Sequence, residues 1–517
     1  PRGKWYWLRE FVEGRENWDQ RIVDTILSCT TCELCNLRCS ESLPIEPSWL
    51  KLRGHLIQEK KKMTFPPFEM MSAALQREGN IWAGYRKDRT GWFPEDLLES
   101  HGPDWKAQPD WKAQPGLKAQ PGLKARAVYF AGCTASYVEQ DIAMATVRLL
   151  DRAGVDFVHV GNRENCCGTP MLVAGKWEVF AETMKKNIQA VKDTGADTVI
   201  SSCPACDMMW RTTYPAWAKK LGVEYGIKAR HYSEVIAEKI GSGEFHFPDN
   251  GIPSETVTWH DSCHIGRASG VYEPPRDLIR SIPHVTFVEM ESNRDKGRCC
   301  GSVLTLIKEP DAAAEIGKMR LDEAVEAGAR KVLALCPCCE FQLRVSADKR
   351  NVPVEVVDLA RFAAGALGYD FPDPNPEVQR QWAVFEAMIA LMTPQGFADL
   401  MGTMWPELID SMPLGMGAMM RIMGRLPLAL SLMKPLFPLL FPILLPLMMP
   451  KLMPVILQQV GERIPMPDYM AEQLPEMMPG IMDNLMPHMI GDVVPLVTQP
   501  MIDFLKGRSK EKERSLS

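Results

Sequence analysis

The 517-residue sequence has no surplus of basic charge. Lys and Arg number 59 against 65 Asp and Glu, a formal net charge of −6. No basic surface therefore argues for a nucleic-acid partner. There is no G-x-G-x-x-G and no phosphate-cradling G-x-x-x-x-G-K-[ST] loop, so nucleotide and flavin binding have no sequence support. No signal peptide is visible. The even, spaced cysteine set of a secreted disulfide scaffold is also missing. The 15 cysteines are odd in number and tightly clustered, which points to thiolates on metal in a reducing, cytoplasm-facing compartment. The most apolar stretch, Pro435 to Pro450, is uncharged but falls short of the roughly 20 residues of a spanning helix.

What is present is a duplicated cysteine pattern. "NCCGTP" places Cys166 and Cys167 side by side before Gly168, and "RCCGSV" repeats this with Cys299, Cys300 and Gly301. Adjacent cysteines rarely pair with each other, because the peptide between them would strain. Each doublet has partners on both sides. Thirty-two residues separate Cys133 from the first, and 35 separate that doublet from the following pair, Cys203 and Cys206. Thirty-five residues separate Cys263 from the second, and 35 separate that doublet from the following pair, Cys336 and Cys339. Zinc normally takes four ligands. Five thiols including an adjacent pair fit a larger iron–sulfur cluster better. Gly168 and Gly301 are expected to let the backbone approach such a cluster without a Cβ. Cys338, inside "CPCC", is left over as a spare ligand, a redox thiol or filler. His264 follows Cys263 and His260 lies three residues before it; either is placed to give a proton to a thiolate leaving group, or simply to pack.

The length implies three or more domains. In both copies an apolar segment runs into the first cysteine ("RAVYFAGC", "TVTWHDSC"), and a second precedes the doublet ("VDFVHVG", "VTFVEM"). A third ends on the last pair ("DTVISSCPAC", "RKVLALCPCC"), with helical patterns between. Strands alternating with helices predict a parallel sheet covered on both faces, with ligands beyond the carboxyl ends of the strands. The expected fold class is α/β. It comprises an N-terminal helical ferredoxin-like domain over 1–62, a connector over 63–126, duplicated βα domains over 127–250 and 251–371, a Met/Pro-rich helical region over 372–506 and a disordered tail over 507–517. The connector ends in a tandem repeat, "DWKAQPDWKAQPGLKAQPGLKA", whose prolines predict an extended linker.

The spacing of the cysteines over 127–371 resembles the cysteine-rich CCG domain of heterodisulfide reductases. That domain is shared with the glycolate oxidase iron–sulfur subunit and with subunits of related membrane complexes. The resemblance implies two [4Fe-4S] clusters of noncubane type, a property carried over and not read from spacing. Cys133, Cys166, Cys167, Cys203 and Cys206 would hold one. Cys263, Cys299, Cys300, Cys336 and Cys339 would hold the other.

Near the N-terminus, Cys29, Cys32, Cys35 and Cys39 form a C-x2-C-x2-C-x3-C run of the bacterial ferredoxin type. Ser40 stands where that type has proline. The resemblance further implies a second run upstream of Pro1-Arg2-Gly3. Cys29, Cys32 and Cys35 would then hold one [4Fe-4S] cubane and Cys39 its neighbour; without that run, all four hold one cluster.

Twenty-one of the 31 methionines fall between Met388 and Met501, and prolines recur at 435, 438, 442, 446, 450 and 454. Prolines four apart remove backbone hydrogen bonds from any lipid-exposed helix. Three readings stand open: short helical turns in the bilayer interface, a flexible Met-rich surface on a partner subunit, and a spanning helix. The first leads.

The function expected is a membrane-associated iron–sulfur oxidoreductase subunit at the cytoplasmic face of the inner membrane. It would pass electrons between a quinone or cytochrome b partner and a thiol/disulfide pair. The alternative is a relay from a dehydrogenase or electron-transfer flavoprotein to quinone, without its own substrate. A scaffold with decayed cluster sites is the third.

Overall fold

The computed structural model describes residues 2–102, 127–249, 254–302, 309–424 and 426–507. The tandem repeat over 104–125 and the tail beyond 507 lie outside the described residues. The chain divides into two compact units, Pro1–Trp382 and Ala383–Ser517.

Unit one contains two four-stranded, wholly parallel sheets of identical order. The strands of the first are β1 (Ala127–Phe130), β2 (Phe157–His159), β3 (Thr198–Ser201) and β4 (Lys228–His231), in the order β2-β1-β3-β4. Those of the second are β5 (Glu255–Trp259), β6 (Val285–Phe287), β7 (Lys331–Ala334) and β8 (Glu355–Asp358), in the order β6-β5-β7-β8. The matching registers pair Val128 with Val158 and Val199, and Val257 with Phe287 and Lys331.

Strands β4 and β8 add to the three apolar segments expected in each repeat. Both are four-residue edge strands that lead to no cysteine; β4 has only His231 buried, while β8 buries Val356, Val357 and Asp358. What marks them is the turn that follows. His231 caps helix Tyr232–Gly241 in a capping box with Glu234, and Asp358 caps helix Leu359–Ala366 through Ala360 N and Arg361 N.

The two repeats pack reciprocally. Helix Gln140–Arg152 of the first lies against Leu359–Ala366 of the second, and Glu273–Arg280 of the second lies against Tyr232–Gly241 of the first. Short helix Pro204–Met208 meets Cys263–Gly266, and Pro337–Arg350 meets Cys133–Tyr137. Each contact has its mate with the repeats exchanged, so the repeats are related by an approximate twofold. A single core built from both, including Tyr129, Phe157, Tyr232, Trp259, Leu278 and Leu359, fixes that arrangement. Arg361 crosses the seam to Asp141 at 2.9 Å.

The N-terminal segment is helical (Arg2–Val12, Gln20–Leu27, Ile45–Gly54, Pro66–Glu78) and docks on the first repeat. Buried Arg53 donates to Val173 O at 3.1 Å, Lys176 pairs with Glu69 at 2.7 Å, and Trp82 Nε1 donates to Thr134 Oγ1 at 3.4 Å.

Unit two is helical. Its two longest helices are Pro427–Arg463 and Asp468–Leu505, which pack on each other. The expectation of short turns over 434–457 is corrected, because one helix runs through all six prolines. Geometry explains the tolerance. From Pro438 onward the prolines stand four apart, so the carbonyl orphaned by Pro442 belongs to Pro438, that of Pro446 to Pro442, and so on. The missing donors and orphan acceptors share one stripe, and the other faces keep their hydrogen bonds. Phe437, Phe441, Leu445, Met448, Leu452, Ile456 and Val460 form the buried stripe, while Leu436, Leu439, Leu440, Ile443 and Leu447 are exposed. The segment Pro435–Arg463 is long and apolar enough to cross a membrane by length and composition, with 28% of its most apolar window buried.

Candidate metal centre

Each socket is built at the carboxyl ends of its strands. Chain leaving β1 turns through Gly132 into Cys133, and chain leaving β5 reaches Cys263; each cysteine opens a short helix. Chain leaving β3 and β7 reaches Cys203 and Cys336, each followed by a proline at the first helical position. The next turn then presents Cys206 and Cys339.

Gly168 and Gly301 have φ of +83° and +93°, the region that favours glycine. The expectation that they clear space for a cluster is corrected. A Cβ on Gly168 would meet Phe180 at 2.8 Å, and one on Gly301 would meet Ala313 O at 2.7 Å. These glycines fit the helix packed behind each doublet. Their backbone N–H groups face the first sulfur, Gly168 N to Cys166 Sγ at 3.5 Å and Gly301 N to Cys299 Sγ at 3.4 Å. The glycine nearest the sulfurs is Gly132, at φ +79°, where a Cβ would lie 3.0 Å from Cys206 Sγ.

The sulfurs of both repeats converge. Cys133 contacts Cys166, Cys166 contacts Cys167, Cys167 contacts Cys206, and Cys206 contacts Cys203. Cys203 reaches across to Cys336, which contacts Cys338 and Cys339. Cys300 Sγ lies 3.2 Å from Cys339 Sγ, and Cys299 joins Cys300 to Cys263. All eleven of these cysteines line one cavity, with Phe68, Ile81, Val173 and His264. The Cys203–Cys336 contact, which makes the two sockets neighbours, is invisible in the spacing.

The N-terminal set adjoins the second socket. Cys32 contacts Cys299, and Arg267 ties the segments together by donating to Cys32 O at 2.6 Å and Gly297 O at 2.7 Å. His264 bonds to the backbone of Thr31. Thr31 and Glu33 have φ of +51° and +59°, a costly conformation for residues with a Cβ and one that the surrounding loop must enforce. Cys29, Cys32 and Cys35 interact electrostatically. Cys39 lies in the turn after Leu34–Leu37, its N–H bonded to Asn36 O. Two cations flank this loop: Lys4 donates to Ser28 O at 2.7 Å, and Arg53 donates to Leu27 O at 2.7 Å and Cys29 O at 3.4 Å. Burial pushes the Lys4 ammonium down to about 8, against the pull of Cys29.

The thiols cannot all ionise together. Hydrogen bonds that Cys166 donates to Cys133 and Cys167, then burial, push its thiol far up. Donation from Cys166 and Cys206 holds Cys167 down, and donation from Cys300 and Cys336 brings Cys339 down to about 6. No Lys or Arg lines the cavity among the described residues. Buried thiolates without a protein counter-charge require a bound cation, and a five-sulfur socket suits iron of an iron–sulfur cluster. The donor set fits.

The supports around each socket differ. In the first, Glu164 accepts from Ala131 N at 3.1 Å and Gly132 N at 2.8 Å, and pairs with fully buried Arg89 at 2.7 Å. Burial alone would raise its carboxyl; Arg89 and His159 hold it at about 2. In the second, Asp261 binds Arg276 with both oxygens at 2.8 Å and accepts from Arg294 N at 2.6 Å. His260, behind the cavity wall, is 1% exposed, and burial followed by the Arg320 charge pushes its imidazolium down to about 3. Glu164, Arg89 and Arg320 have no signal in the sequence, since lone charged residues between elements carry no pattern.

The cysteine-rich domain family, CCG, matches residues 127–211 and 257–344. A subunit of the dihydromethanophenazine:CoB–CoM heterodisulfide reductase of Methanosarcina acetivorans is 32% identical to this chain over 355 residues, a match covering 68% of this chain and 80% of that one. The chain belongs to this heterodisulfide reductase family. Other relatives are a probable iron-sulfur-binding oxidoreductase, FadF, of Bacillus subtilis (29% identity) and an EtfAB:quinone oxidoreductase of Syntrophomonas wolfei (25%). Those matches take in 67% and 66% of this chain and 47% of each relative. As a heterodisulfide reductase homologue with two CCG domains, the protein is an iron–sulfur oxidoreductase subunit, and its homologues are subunits of multi-subunit redox complexes.

Proposed function

We propose that this heterodisulfide reductase homologue reduces or forms a disulfide within the cavity shared by its two CCG sockets. The observation that carries the reading is the Cys203–Cys336 contact, which makes ten ligand sulfurs from two repeats the wall of one site. Each socket would hold one noncubane [4Fe-4S] cluster on its five cysteines, and Cys29, Cys32, Cys35 and Cys39 would hold the N-terminal cubane. When bound, such clusters supply electrons one at a time and iron able to take a thiolate. The net reaction is RSSR′ plus two electrons and two protons giving RSH and R′SH.

The chain's own residues shape the rest. Phe68, Ile81 and Val173 give the cavity an apolar wall that excludes water from the sulfurs. Glu164 and Arg89 hold the Gly132–Cys133 turn, while Asp261 and Arg276 hold the corresponding turn before Cys263. His264, at the cavity wall and bonded to Thr31, links the N-terminal loop to the substrate space. Electrons would enter where Cys32 meets Cys299. Their source would be a cytochrome b or quinone partner at the membrane, reached through the exposed leucines of Pro427–Arg463.

EPR of the oxidised protein before and after thiol addition tests this. A new paramagnetic species on adding thiol supports disulfide chemistry. No response to any thiol, with a normal response to quinol, instead supports a relay from an electron-transfer flavoprotein to quinone. The resemblance to an EtfAB:quinone oxidoreductase favours that second reading.

A further inference from the structure

The two sockets carry the same five sulfurs but not the same second neighbour. A ring nitrogen of His260 and the Sγ atoms of Cys300 and Cys339 lie within 4.8 Å of one another, all three residues buried. Three residues before Cys133, the corresponding position in the first repeat holds Phe130, packed edge-on against Trp210 at 5.5 Å. His260 is held rigidly. Its backbone N donates to Leu333 O at 2.9 Å, and Arg320 Nε donates to its Nδ1 at 3.2 Å. Arg320 is itself fixed by Trp259 O at 3.2 Å, Ser292 O at 2.6 Å and Glu323 at 2.5 Å.

That contact decides the tautomer. A guanidinium N–H always donates, so Nδ1 accepts and carries no proton. The ring proton is therefore on Nε2. Nε2 is buried and has no hydrogen-bond partner among the described residues. A buried N–H without an acceptor is costly, and the Sγ atoms of Cys300 and Cys339 lie beside the ring. The same contact argues against iron ligation, since a ligating Nε2 leaves the ring proton on Nδ1, where it would face the Arg320 N–H donor to donor.

We propose that His260 donates an N–H···S hydrogen bond from Nε2 to a sulfur of the cluster in the second socket, and so sets that cluster at a higher potential than its twin. A donor aimed at sulfur stabilises the more negative, reduced state. The first socket, with Phe130, lacks it. The second socket is also the one that touches Cys32, so the histidine would make the cluster nearest the electron entry the better acceptor. His260 is a positioning residue here, and the assignment rests on the reading that both sockets hold clusters.

The test is an EPR-monitored redox titration of the full-length reconstituted protein, with iron analysis, for the wild type, His260→Phe and His260→Gln. With iron content unchanged, H260F lowers the electron affinity of the second cluster about tenfold, which is about 59 mV for a one-electron couple. H260Q, whose amide keeps an N–H donor, recovers most of the shift. Unchanged potentials in iron-replete H260F overturn the proposal. Should H260F fail to fold, pulsed EPR of wild type with 15N-labelled histidine in D2O decides. A weak nitrogen coupling with an exchangeable deuteron supports the hydrogen bond. No coupling, or the strong coupling of a directly bound nitrogen, overturns it. A second socket that takes up no iron in the wild type defeats the cluster reading first, and this assignment with it.

Discussion

Glu164 works at the scale of one side chain. It is fully buried, yet it serves two backbone N–H groups of the Ala131–Gly132 turn and the guanidinium of Arg89. Replacing it by glutamine leaves a buried cation unpaired, so E164Q is expected to cost about 3–5 kcal/mol of stability at neutral pH. The pH dependence has a definite sign. The folded pKa of about 2 lies below the unfolded value of about 4.3. The contribution is complete above about pH 4.3 and is lost as pH falls through 2. Chemical denaturation from pH 7 downward should therefore show the gap between wild type and E164Q narrowing below about pH 4.3; a constant gap contradicts the assignment. Residues of this kind are illegible in the sequence. The cysteines announce themselves by spacing and His260 by its place before Cys263, but Glu164, Arg89 and Arg320 are single residues brought to their partners only by the fold. The glycines show the limit from the other side: Gly168 and Gly301 stand out beside the doublets, yet their neighbours are Phe180 and Ala313, and the glycine beside a sulfur is Gly132.

Among elements, six of the eight strands are legible as apolar segments leading to cysteines. Edge strands β4 and β8 are not: β4 has only His231 buried, and β8, although Val356 and Val357 are buried, leads to no cysteine. The proline-rich helix Pro427–Arg463 defeats sequence reading for a different reason. A single proline breaks a helix, but prolines in register confine the damage to one stripe. Its exposed residues include Leu439 at 67% and Ile443 at 66%, an apolar face that suits a bilayer or a membrane subunit. If it meets lipid, the wild-type protein floats with liposomes, and the double substitution L439E/I443E reduces flotation about tenfold or more, since two charges oppose burial. Equal flotation of both proteins argues that this helix does not hold the chain at the membrane.

At the scale of the whole first unit, the duplication is plain in the sequence, whereas its consequence is not. Two copies of a strand–cysteine plan can be arranged with their sockets on opposite sides. Here reciprocal packing of Gln140–Arg152 with Leu359–Ala366 and of Glu273–Arg280 with Tyr232–Gly241 turns the sockets toward each other. Cys203 and Cys336, far apart in the chain, become neighbours. The N-terminal cysteine loop reaches the second socket through Cys32 and Arg267. One sulfur-lined path thus joins three cysteine groups. The most direct test is the EPR spectrum of the iron-loaded protein with both CCG clusters in a paramagnetic state. Sockets that share one wall predict spin–spin splitting of both signals, lost when Cys203→Ser or Cys336→Ser empties or alters one site. Two unsplit, independent signals from a fully loaded protein would contradict the shared cavity and the disulfide chemistry proposed for it.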